Sequence, residues 1–137
     1  MTTEAQIEIR QSPFTWATNA EYSQAARIGD LVYTAGQGGF GDDGELVSSG
    51  FIEQTRQALR NVEAALVSHG ASLSSVIKIT VHVARAEHYE LFKQVRREFF
   101  EAPWPTSTAV SSQLLVEGML VEIEAIAAVG AQRTVIA

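Results

Sequence analysis

The sequence predicts one mixed α+β domain over residues 1–137, and three observations predict it. Apolar residues recur every three to four positions over 51–69 and again over 88–100, the spacing of two amphipathic helices. Around them, residues 23–35, 76–83 and 119–129 read as strands, the last two by alternation of side-chain character. A chain of 137 residues also holds one hydrophobic core without staples and is short for two.

The elements follow in order. Ser23–Ile28 and Leu31–Ala35 flank Gly29-Asp30, which predicts a hairpin with a two-residue turn. An additional N-terminal strand is expected at Gln6–Arg10. The loop from Gly36 to Gly44 contains five glycines, which lets backbone turn or approach another group closely. No Gly-Lys-Ser/Thr follows it, so it is not a phosphate loop. From Phe51 to His69, Ile52, Thr55, Leu59, Val62 and Leu66 mark a helix, with Ser48 or Ser49 as expected N-cap and Gly70 as stop. Val76–Val83 alternates, which predicts Ile77, Ile79, Val81 and Val83 on one face. Leu91, Phe92, Val95 and Phe99 carry the second helix, closed before Pro103 and Pro105. Strands around Ser107–Ser112 and Met119–Val129 finish the chain. Two helices cover one face of such a sheet, and a partner subunit is the simplest cover for the other.

Composition removes several functions. Zero cysteines exclude disulfides, thiolate metal sites and a cysteine nucleophile. A net charge of -6 argues against broad binding of nucleic acid, which rests on clustered Lys and Arg. No stretch approaches the roughly 18 apolar residues of a membrane span, and the first residues lack the pattern of a secretory signal, so no membrane association and a cytoplasmic location are expected. His69, His82 and His88 are not spaced as a metal-binding pair, and no metal site is expected.

The last third holds the chemistry. Alternation places Leu120, Glu122, Glu124 and Ile126 on one strand face, with Met119, Val121, Ile123, Ala125 and Val129 on the other. Carboxylates on an otherwise apolar strand need solvent or a polar pocket.

Seven segments, in order, carry a resemblance: Tyr22-Ser23-Gln24-Ala25, Thr34-Ala35-Gly36-Gln37, the helical run Gln54 to Val62, Gly70-Ala71-Ser72-Leu73, Lys78-Ile79-Thr80-Val81, Phe99-Phe100 and Val121 to Ala127. Over residues 20–130 the chain resembles the RidA/YjgF family of reactive-intermediate deaminases. The resemblance implies a chorismate-mutase-like fold, a mixed sheet with two helices on one face. It further implies a homotrimer with sheets facing inward and small-molecule pockets at the subunit interfaces. It implies hydrolysis of 2-imino or enamine acids to 2-oxo acids and ammonia with no cofactor. In such proteins a glutamate positions the attacking water and an arginine grips the substrate carboxylate.

By this resemblance Glu122 is the catalytic residue and Tyr22, Ala35, Gly36, Lys93, Ser107, Thr108 and Ala109 line the substrate. The arginine is missing: Ser107 stands in its slot, followed by Thr108 where serine is usual and Ala109 where cysteine is common. Ala35 replaces a serine, and Lys93 an asparagine. A guanidinium binds carboxylate through a planar, charged fork, whereas serine offers one neutral hydroxyl. Losing such a contact costs about 1.5–3 kcal/mol, or one to two decades in affinity. Weak activity on small 2-imino acids and a less acidic ligand are therefore expected, with Lys93 as a less directional source of charge. Three functions are left open: hydrolysis of an imine, enamine or related electrophile; non-catalytic metabolite binding or regulation; and, against the acidic balance, RNA cleavage. Trp16 and Trp104 are candidates for a pocket mouth.

Overall fold

In the computed structural model, which describes residues 4–137, the chain runs Glu8–Ile9 (β1), Ala25–Ile28 (β2), Leu31–Thr34 (β3), Phe51–Val67 (α1), Val76–Val83 (β4), Tyr89–Phe99 (α2), Thr106–Ser111 (β5) and Val121–Ala128 (β6). Residues 1–3 of the expected 1–137 domain lie outside the described residues. The six strands form one mixed sheet in the order β1-β2-β3-β6-β4-β5. Only β4 and β5 run parallel, because α2 carries the chain back between them. Gly29, at φ 56°, closes the β2–β3 hairpin, and the short N-terminal strand adds to its edge.

Both helices pack on one face. Ala58, Leu59, Val62 and Leu66 of α1 and Phe92 and Val95 of α2 meet Val32, Ile79, Val81, Val121, Ile123 and Ala125 in a single core. The other face is open. It exposes Leu31, Tyr33 and Val110 among Lys78, Thr80, His82 and the two β6 glutamates.

Two sequence expectations are corrected. Helix α1 starts after Gly50, with no side-chain cap from Ser48 or Ser49; Ser48 Oγ instead accepts from Gly50 N–H at 2.9 Å, and Glu53 supplies the negative charge of the first turn. In β4, a register shift between Val76 and Lys78 buries Val76 and leaves Ile77 43% exposed, so Ile77 does not share the core face of Ile79, Val81 and Val83. Among the described residues no helix is long and apolar enough to cross a membrane.

Candidate functional site: an apolar cleft floored by Glu122

Helix α1 builds the site indirectly, through polar residues on its buried side. Asn61 Nδ2 donates to the carbonyls of Gly38 (3.0 Å) and Phe40 (2.9 Å), pinning the glycine-rich loop. Gln54, fully buried, donates from Nε2 to the carbonyls of Ser48 and Gly118 and accepts from Leu120 N–H at Oε1, each at 2.9 Å. These bonds satisfy backbone groups that are not in helix or sheet, and they hold the glycine loop and the 118–120 turn against each other.

One backbone bridge then sets the geometry. Gln37 N–H donates to the Ile123 carbonyl at 2.8 Å, and Ile123 N–H returns to Gln37 at 2.9 Å. Gln37 is itself buried, its Nε2 donating to Gln24 Oε1 at 2.7 Å. With Ile123 turned into the core, Glu122 projects from the open face, directly over Gly36. A Cβ at position 36 would overlap Glu122 Oε1 and lie 2.9 Å from its carboxyl carbon. Gly36 is required here because the carboxylate occupies the space of a side chain.

Glu122 floors a cleft of about 620 Å³ lined also by Tyr22, Ala35, Gly36, Gln37, Gly38, Trp16, Phe40, Gly44, Leu115, Val116 and Met119. Tyr22 is 59% exposed and stands at the rim. The Trp16 ring sits 5.7 Å from that of Phe40 and stacks at 5.5 Å on Phe14. Among the described residues neither Lys nor Arg lines the cleft. His82 pairs with Glu122 across the β4–β6 ladder, and its Nδ1 lies 3.3 Å from Ser112 Oγ.

Four of the sequence-assigned residues therefore come together: Glu122, Tyr22, Ala35 and Gly36. The other four do not join them within one protomer. Ser107, Thr108 and Ala109 lie on β5, the exposed edge strand, with β4 between it and β6. Ser107 and Ala109 pair with Ile79 and Val81 and so share the helix-side face, opposite to that of Glu122. Thr108 pairs with Thr80 and points to the open face.

Lys93 is engaged elsewhere, its Nζ 2.9 Å from Glu90 Oε2 and over the Tyr89 ring at 5.4 Å. The cation beside Ser107 is Arg96, whose Nη1 donates to Ser107 Oγ at 3.3 Å and whose guanidinium lies over Phe92 at 5.5 Å. Arg96, Arg97 and Trp104 line a small hollow of about 180 Å³ there. Arg96 follows Lys93 by three residues, the spacing of one helix face, which is the signal that could have found it. Glu124 lines a different hollow, of about 200 Å³, with Tyr33, Lys78 and Thr80. Of the two tryptophans, Trp16 walls the cleft and Trp104 does not.

The sequence pattern of the family described as endoribonuclease L-PSP matches residues 13–129. The chain is 36% identical over 107 residues to a RutC family protein of Pyrococcus abyssi, covering 77% of this chain and 84% of that protein. It is 33% identical over 110 residues to the 2-iminobutanoate/2-iminopropanoate deaminase of Homo sapiens, covering 80% of each. The crystal structure of RidA from the Antarctic bacterium Psychrobacter sp. superposes with a TM-score of 0.80 at 32% identity, covering 88% of this chain and 98% of that one. A match over 13–129, with relatives above 30% identity and the same fold, places the chain in the endoribonuclease L-PSP family, that of the RidA/YjgF proteins.

Proposed function

We propose that this chain is a hydrolase of imines, enamines or a related small electrophile, working as a cytoplasmic homotrimer with Glu122 and a bound water at each subunit interface. The carrying observation is the Glu122 carboxylate, seated on Gly36 at the floor of an apolar cleft. A carboxylate so placed accepts a proton from water as its oxygen attacks the C=N carbon, while the nitrogen takes up a proton. The resulting carbinolamine then breaks its C–N bond, releasing ammonia and leaving a carbonyl. An enamine enters the same route after tautomerising to the imine. The 2-iminobutanoate/2-iminopropanoate deaminase named above supports this chemistry by analogy.

Assembly is supported by the position of Ser107. It lies on the opposite sheet face from Glu122, so one small ligand reaches both only if the β5 edge of a second copy meets the cleft. The open face, where Tyr33 is 47% exposed and Val110 39%, offers apolar surface for that contact. Turnover of small 2-imino acids is weak in this reading, since their carboxylate finds a hydroxyl at 107 and only a helix-borne guanidinium, Arg96, beside it. The net charge of -6 and a cleft without Lys or Arg favour a small molecule over RNA.

The test is ammonia release from imines generated in situ by an amino-acid oxidase. Wild-type protein accelerates release, and Glu122→Gln loses about two decades or more of that acceleration. A Glu122→Gln protein as active as wild type sinks the proposal.

A further inference from the structure

We infer that the substrate of this site carries a bulky, flat apolar side chain, as an aromatic 2-imino acid or its enamine does, in preference to a three- or four-carbon one. This rests on the hydrolase reading and names its substrate class. The cleft beside Glu122 measures about 620 Å³, on the scale of about 300–1,000 Å³ for pockets that enclose drug-sized ligands. A small imine touches only its Glu122 end.

Beyond Tyr22 and Gln37 the rest of the wall is apolar, and it is braced by its own packing. Trp16 is held from behind by Phe14, stacked at 5.5 Å, and its ring meets Phe40 at 46°. Two glycines keep this wall in place: a Cβ at Gly38 would lie 2.7 Å from Met119 Cε and 2.8 Å from the Phe40 ring, and one at Gly44 would lie 3.0 Å from Trp16 Cβ. Aromatic rings set at an angle, with a polarizable thioether beside them, suit the faces and edge of another ring. With no cation in the lining, burial of the substrate's apolar side chain is the main handle this cleft offers.

The reaction is unchanged: water adds to the C=N carbon, the C–N bond breaks, and the products are the aromatic 2-oxo acid and ammonia. The experiment compares imines generated by an amino-acid oxidase from alanine and from phenylalanine. The phenyl-bearing imine is expected to show a kcat/KM about 10–200-fold higher. Val116→Trp fills the cleft from a position 48% exposed and therefore tolerant of size, and is expected to bring that ratio down toward one. Trp16→Ala should also lower the ratio.

Equal or better turnover of the alanine-derived imine overturns the inference and leaves the hydrolase reading standing. Turnover of neither imine overturns the hydrolase reading, and calorimetry with the stable 2-oxo acids then decides the inference. Phenylpyruvate binding about tenfold tighter than pyruvate, with the difference removed by Val116→Trp, supports an apolar-ligand cleft; equal binding, or none, rules it out.

Discussion

The Glu122 carboxylate occupies the volume that a side chain at Gly36 would fill. The contact is set by the Gln37–Ile123 backbone bridge, so Gly36 cannot retreat without breaking two hydrogen bonds. Gly36→Ala is expected to move the carboxylate and cut kcat/KM by about two decades, in the range of a lost general base. Thermal melting distinguishes this from unfolding: the melting temperature should fall far less than that of a core-truncation variant such as Leu59→Ala.

Arg96 and Ser107 give a charge-relocation test. Ser107→Arg is expected to raise turnover of dehydratase-generated 2-iminopropanoate, but the new guanidinium would crowd against that of Arg96. The double variant Ser107→Arg, Arg96→Gln should therefore gain more than the single one, approaching one to two decades over wild type. Arg96→Gln alone should remove the residual activity on this substrate. Robust wild-type turnover of 2-iminopropanoate, unaffected by Arg96→Gln, would show that neither residue governs recognition of the acid.

Gln54 joins three backbone segments from the interior of α1. Gln54→Leu keeps the volume but leaves the carbonyls of Ser48 and Gly118 and the N–H of Leu120 unmatched. A loss of about 3 kcal/mol is expected from urea unfolding. Met119 lies within the freed turn, so binding in the cleft should weaken as well.

His69 predicts a pH dependence of stability. Its imidazole is buried, and burial, followed by the nearby Arg10 charge, holds its pKa below the ordinary 6.5, although a hydrogen bond at the Ala25 backbone and the Glu8 carboxylate pull upward. Above about pH 6.5 both folded and unfolded states are neutral and the contribution is fully present. As pH falls below that value the unfolded chain takes a proton that the fold resists, so stability drops until the folded pKa is reached. The slope is at most about 1.4 kcal/mol per pH unit. Melting between pH 7.5 and 5.5 should show it, and His69→Gln should flatten it.

Much of this site was legible in sequence wherever burial alone decided the outcome. One face of β6 had to be core, so Glu122 and Glu124 had to share the other, and the glycine-rich loop after β3 marked a place where backbone could approach another group, though not that Glu122 is the group at Gly36. Alternation does not separate the two glutamates; the resemblance singles out Glu122, and the physical difference is tertiary, since the glycine loop reaches Glu122 and not Glu124. Ile77 departs from its expected face because a local register shift breaks alternation without any Gly or Pro to signal it. The charge expected from Lys93 comes instead from Arg96, because a long side chain one turn further along the helix reaches Ser107 while Lys93 pairs with Glu90. Trp16 was legible as a candidate for the pocket mouth, but its meeting with Phe40 and Met119 was not, because these residues are far apart in sequence; the bonds of Asn61 and Gln54 place the loop of Phe40 and the turn beside Met119, and ring contacts with Phe14 and Phe40 place Trp16.

The opposed faces of Ser107 and Glu122 make the two halves of the proposed site separable by genetics. In the proposed assembly each active site borrows its β5 edge from one copy and its carboxylate from another. Two proteins inactivated at different halves, one at Glu122 and one by a disruptive change on β5, should then regain part of the activity when unfolded and refolded together. The same site built within one chain would show no such complementation.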